Sequence, residues 1–236
     1  MEKVISKKTD YTVLLVSVAI FLLLQLPYFV KIQYPFRLLG TWFHEMGHGL
    51  TALLVGGKFH YLEIYANGGG VAYSTVTNKF FSIQTARALT AAGGLLGPAI
   101  SGSLLIIAAR SQKHAAILFR ILTVVMVLSL LIWIRSYWGI IVLGGFAVAF
   151  LIIMFLKNKK IETITVLFLG LQCVLSTYLQ LNYLFTKQFE RNGQVMTSDT
   201  QNIAINTFGT YWMWGILLLI VSCFLLWKSI RYYLKR

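Results

Sequence analysis

The stretch Thr41-Trp42-Phe43-His44-Glu45-Met46-Gly47-His48-Gly49-Leu50-Thr51-Ala52-Leu53-Leu54 is an apolar run that carries two histidines and a glutamate. On an α-helix a step of four residues turns about 400°, so His44 and His48 leave the same face roughly one turn apart and can share a metal ion. Glu45 is rotated off that line. Beside a zinc ion it is placed to act as general base towards water, which is why the pattern is H-E-x-x-H and not two histidines alone. A carboxylate and two imidazoles near mid-bilayer cost a few kcal/mol unless they face a wet or metal-filled cavity, so the cluster reads as functional. The bland alternative, histidines satisfied by backbone carbonyls, requires spacing, glutamate and burial to coincide.

The rest of the chain fits a helix of this kind. Its 236 residues are 58% hydrophobic and 12% charged, with apolar runs longer than a soluble core helix needs. The composition predicts an all-α polytopic membrane protein, a single domain over residues 1–236, with about seven spans and a range of about six to eight. They fall at residues 12–30, 37–55, 86–109, 115–134, 138–156, 161–185 and 208–228. The first is too long, and too poor in a small-residue cleavage site, for a signal peptide. The net charge of +14 sits in short loops and tails, such as Lys157 with Lys159 and Lys160, and Lys228, Arg231, Lys235 and Arg236. That is membrane-flank chemistry, which makes the bilayer the partner and excludes nucleic acid. The expected location is integral, multi-pass, in the cell membrane. Cys173 and Cys223, the only cysteines, both fall within apolar spans, which excludes a disulfide framework and a cysteine zinc site.

Two connections, residues 58–84 and 186–207, are longer and more polar than the others. In residues 58–84, Phe59, Tyr61 and Tyr65 precede Asn67-Gly68-Gly69-Gly70, and Val71, Tyr73 and Thr75 follow. This predicts a short β-hairpin between the second and third spans, closed by an Asn-Gly turn. Its open edge could take an unwound substrate segment as an added strand, or the hairpin could be a plain connector. The third span contains Gly93-Gly94-Leu95-Leu96-Gly97-Pro98-Ala99-Ile100-Ser101-Gly102, small residues that let helices approach closely, with Pro98 bending the helix; plain tight packing is the favoured reading, and a thin segment directly behind the metal helix that leaves room for substrate backbone is the alternative.

A catalytic zinc takes three protein ligands and leaves one position open. Glu2, Asp10 and Glu162 lie near lysines at membrane edges, where a solvated charge is expected, and His114 lies in a basic connection. His60 and Glu63 belong to the hairpin and are expected to face water or headgroups. Asp199, in Thr197-Ser198-Asp199-Thr200-Gln201-Asn202 ahead of the last apolar run, has two readings. It is the third ligand, or it complements the dipole of a helix capped by Ser198 with Gln201.

The metal helix with Gly49 after its second histidine, the triple-glycine hairpin, the Gly97-Pro98 segment and the Ser198-Asp199 run, in that order, resemble the site-2 protease family of intramembrane zinc metallopeptidases. The likeness is to its short branch lacking a PDZ domain. The resemblance implies that His44 and His48 bind zinc (Zn²⁺), that Glu45 is the base, and that an aspartate on a later helix completes the site. Asp199 is the aspartate available there. Two positions depart from the family pattern: Asp199 is followed by Thr200 rather than glycine, and Ser101 stands where an asparagine is common. The oxyanion donor is therefore open.

The function expected is a zinc metalloendopeptidase cleaving a peptide bond in or near a transmembrane segment of a membrane protein. The competing class is a catalytically inactive protease-like scaffold or a metal-handling membrane protein. The donor set also admits cobalt or manganese. Seven simple spans place the start of the metal helix and the start of the last helix on opposite faces. To reach one metal, either residues 190–207 are re-entrant or the count is off by one.

Overall fold

Backbone groups in hydrocarbon must be paired within their own segment, and the chain is accordingly mostly helical in the computed structural model, which describes residues 7–179, 181–191 and 194–235. In order the elements are α1 (Lys7–Leu24), α2 (Val30–Leu54), β1 (Lys58–Ile64), β2 (Gly70–Thr75), α3 (Ile83–Ala108), α4 (Gln112–Ile132), α5 (Tyr137–Phe155), α6 (Lys159–Leu179), α7 (Leu181–Leu184), β3 (Gln188–Arg191), β4 (Gln194–Thr197), α8 (Asp199–Asn206) and α9 (Tyr211–Leu234).

The candidate spans among the described residues number five or six, at or just below the low end of the expected range. Among the described residues five helices, α3 to α6 and α9, are long and apolar enough to cross a membrane. A sixth appears if α1 and α2 form one broken span, since they meet at a 90° bend. Proline explains the break: Leu26 is extended ahead of Pro27, which opens a single 3-10 turn over Pro27–Phe29. The metal helix then starts at Val30, seven residues before the Arg37 start expected, and runs through Pro35. His44 and His48 consequently lie in its C-terminal half. With α3 to α6 each taken as one span, four crossings separate the end of α2 from β3 and those two ends share a face. The opposition expected from seven spans is removed.

The interior is built around α2, α3 and α6. Trp42, Leu38 and Leu39 of α2, Leu105 and Ile106 of α3, Phe119 and Met126 of α4 and Val166, Leu167 and Val174 of α6 share one buried cluster. The Trp42 indole N–H donates to the Ser129 hydroxyl at 3.0 Å, pinning α2 to α4. α5 is far more exposed, showing Ile140, Ile141, Val148 and Ile152 on its surface, as a lipid-facing helix does.

Glu162 is also corrected. It is 1% exposed rather than solvated. The Asn158 side chain caps the start of α6, accepting from the backbone N–H of Lys160 at 3.0 Å. Glu162 thereby falls in the first turn, where a carboxylate complements the helix dipole. Glu2 and the Asp10 side chain lie outside the described residues.

β1 and β2 form an antiparallel hairpin in which Ile64 pairs with Gly70 and Lys58 with Thr75. The turn Tyr65 to Gly69 is closed by Tyr65 N–H donating to the Gly69 carbonyl at 2.9 Å, and Gly68 takes a φ of +89° within it. β1 is covered on its outer edge by the link between α4 and α5: Leu62 donates to the Trp133 carbonyl at 2.8 Å and accepts from Arg135 at 3.0 Å. Among the described residues no strand pairs with the outer edge of β2. A second antiparallel hairpin, β3–β4, precedes α8. The sequence reading has only a polar connection there.

Candidate metal centre

His44 and His48 project from one face of α2, their rings 4.7 Å apart, with the two Nε2 atoms 3.0 Å from each other. Asp199 meets them from α8, its Oδ2 lying 3.1 Å from His44 Nε2 and 3.3 Å from His48 Nε2. None of these side chains exposes more than 13% of its surface. The three donor atoms form the one group of this kind among the described residues that could hold a metal ion.

His48 is fixed by its neighbours on α3. Its Nδ1 lies 2.8 Å from the Thr90 carbonyl oxygen. A carbonyl can only accept, so Nδ1 carries the proton and Nε2 presents its lone pair to the cluster. The small residues of α3 are what allow this approach. A Cβ on Gly94 would fall 2.1 Å from His48 Nε2. Gly93, Gly94 and Gly97 thus pack directly against α2 while Gly102 packs against Gly170 and Val174 of α6, and α3 continues unbroken through Pro98.

Asp199 is placed by tertiary contacts. The Ser198 hydroxyl caps α8 by accepting from Gln201 N–H at 3.3 Å, the capping half of the sequence expectation. Thr200 donates its hydroxyl to the Leu184 carbonyl at 3.1 Å, and Ser198 N–H donates to the Lys187 carbonyl at 3.2 Å, tying the start of α8 to α7 and β3. Ile203 packs with Ala88, Ala91 and Leu95 of α3. Docked in this way, the first turn of α8 points Asp199 at the histidines. The dipole and cluster roles are compatible in one residue.

Glu45 is 4% exposed and stands beside the hairpin. A Cβ on Gly70 would lie 2.9 Å from Glu45 Oε1, so only glycine lets β2 run against this carboxylate. Tyr183, which sequence reasoning missed because it lay inside a predicted span, donates its hydroxyl to Asp199 Oδ2 at 3.1 Å. Its ring stands edge-on to His44 at 6.2 Å.

Two cavities meet at Glu45. The larger, about 670 Å³, is a cleft between β2 and the N-terminal part of α3 on one side and Phe189, Met196 and α8 on the other. The smaller, about 380 Å³, lies beyond Gly70 and is lined by Arg37, Thr41, Gln172 and Asn182. His44, Glu45, Gly70 and Tyr183 line both.

The other sequence candidates lie elsewhere. Glu63 accepts from the Tyr65 hydroxyl at 2.7 Å; burial, and then this bond, hold the Tyr65 phenol well above its ordinary range. His60 is exposed beside the Thr75 hydroxyl, and His114 is exposed. Ser101 lines an apolar groove between α2, α3 and α4 instead of the cleft. The second hairpin did leave a signal: Asn192-Gly193 stands between Phe189 and Val195, the same turn dipeptide as Asn67-Gly68.

The donor chemistry fits zinc. Ligand bonds of about 2.1 Å in a tetrahedron place neighbouring donor atoms about 3.4 Å apart, near the 3.0, 3.1 and 3.3 Å found here. Two imidazole lone pairs and a carboxylate oxygen converging in a buried place repel unless a metal ion or a shared proton lies between them, and a metal ion satisfies all three donors at once. Neither a curated protein nor a solved structure matches the chain. A family model does, over residues 13–229, which include α2, both hairpins and α8; with its apolar helices and its histidine and aspartate cluster, this integral membrane protein belongs to the Peptidase M50B-like family of membrane metallopeptidases.

Proposed function

We propose that the protein is a zinc endopeptidase of the cell membrane that cleaves a peptide bond in or near a transmembrane segment of another membrane protein. The observation that carries this reading is the convergence of His44, His48 and Asp199 within 3.3 Å of one another beside the buried Glu45, at the junction of two cavities. Bound there, zinc would supply Lewis-acid polarisation of a carbonyl and make water acidic enough to attack near neutral pH.

The chain's own residues supply the rest. Glu45 accepts a proton from water and returns it to the leaving amine. His48 is held in the metal-binding tautomer by Thr90, and Tyr183 orients the Asp199 carboxylate by donating to it. A helical substrate has its carbonyls engaged and must unwind to be cut. β2, which among the described residues pairs with no strand but β1, lines the cleft beside Glu45, and its outer edge receives the extended segment as an added strand. Phe189 and Met196 form the facing wall.

Metal content of detergent-purified wild type, His44→Ala and Asp199→Ala is the test. Near-stoichiometric zinc, lost in both variants, is the expected result, and it makes Glu45→Gln suitable as a substrate trap. Zinc lost only with His44→Ala would return Asp199 to its capping role. Wild-type protein that stays metal-free when supplied with zinc would favour the scaffold reading.

A further inference from the structure

We infer that Arg87 makes the cleft selective for substrates carrying an acidic residue a few positions from the cleaved bond, an inference that rests on the peptidase reading above. Arg87 lies on the face of α3 that forms one wall of the cleft, with Ile83, Thr90 and Ala91. Thr90, whose carbonyl holds His48, is three residues further along, so Arg87 stands about 4.5 Å down the helix axis from the level of the metal cluster. It is exposed to the cleft and makes no ion pair among the described residues. Among the described residues no other lysine or arginine lines this cavity.

The position is a poor one for a merely structural cation. α3 begins at Ile83, so Arg87 lies near the positive end of the helix dipole and gains nothing from it. The neutral surroundings do not compensate it either: Ser74 and Thr75 of β2 and Asn202 and Asn206 of α8 share the cleft. With a divalent cation held by His44, His48 and Asp199, the charges of Asp199 and Glu45 are balanced, and Arg87 leaves the cleft with one positive charge in excess. An extended peptide carrying one carboxylate neutralises it through a forked guanidinium pair. A lysine or arginine at the same place is repelled. An extended chain rises about 3.3 Å per residue, and the arginine side chain adds several ångströms of reach, which puts the selected position two to four residues from the scissile bond, roughly.

The test is equilibrium binding of fluorescent twelve-residue valine- and alanine-rich peptides to zinc-loaded, full-length Glu45→Gln protein. One Asp, Asn or Lys is walked through the two- to four-residue positions on either side of the centre. We expect Asp to bind about tenfold tighter than Asn at one of these positions, and Lys more weakly than Asn. Adding Arg87→Gln should erase the preference, and Arg87→Glu should reverse it in favour of Lys. Zinc content of each variant reports that the site is still assembled. Binding that ignores charge, or a preference for Asp that survives Arg87→Gln, overturns the role of Arg87 and leaves the peptidase reading standing. No binding of any peptide by protein that holds zinc counts against the peptidase reading, and this inference falls with it.

Discussion

α2 and α8 each bring donors to the same cluster, and they do so by opposite means. α2 is 25 residues long and positions His44 and His48 by its own periodicity, so their relation is local and set by covalent geometry. α8 has eight residues, too few to be stable alone, and its direction is set by what holds it: Ser198 on Lys187, Thr200 on Leu184, Ile203 on α3. A site made of one rigid pair and one docked ligand should respond differently to damage on its two sides.

The largest effect is expected on the α2 side. Glu45→Gln should lower cleavage by about 10²–10⁴-fold, the usual worth of a positioned general base, with zinc content unchanged, as read by elemental analysis beside a cleavage assay. Turnover at the wild-type rate would remove Glu45 from the chemistry.

Next is the packing behind the pair. Gly94→Ala puts a methyl 2.1 Å from His48 Nε2 and should weaken zinc by about 10–100-fold or more in a chelator competition, as loss of a supporting group typically does. Ser101→Ala, in the groove away from the cleft, should not change that titration. Equal losses in both would mean that α3 acts through general stability.

On the α8 side the effects should be smaller. Tyr183→Phe removes the hydroxyl bonded to Asp199 and should cost about tenfold in zinc affinity, at the low end for an outer partner. Ser198→Ala removes the α8 cap and should destabilise by about 1 kcal/mol, seen as a lower unfolding temperature of the zinc-free protein. If Ser198→Ala released zinc as strongly as Gly94→Ala, the docked helix rather than the rigid pair would be the controlling half of the site.

Much of this was legible in the sequence because its physics is local. Helical periodicity forecast the His44 and His48 pair, and Asn67-Gly68 forecast the first hairpin. The 20-residue scale of apolar runs forecast a polytopic fold, though not its count: Pro27 breaks the first run at a bend that no hydropathy profile records. Glu162 reads as a surface charge from its lysine neighbours and is buried, because the cap at Asn158 fixes which face of α6 it occupies. Tyr183 carries no sequence signal, being one tyrosine in an apolar stretch, and Arg87 is a lone cation at the start of the expected span 86–109 with no motif around it.

The sequence by itself determined the class of protein, the metal helix and the donors it offers, since each follows from residue type and a repeat of 2 or 3.6 along one segment. Only the tertiary structure decided that Asp199 and Tyr183 reach those donors and that Glu45 lies where two cavities meet. It also decided that β2 pairs with no strand but β1 among the described residues. Those relations join segments more than a hundred residues apart, and they depend on how α3 and α8 pack, on glycines such as Gly94 whose missing side chain is the contact, and on the parity of helices between them. No pattern along the chain encodes such distances; they are set when the helices close around one another.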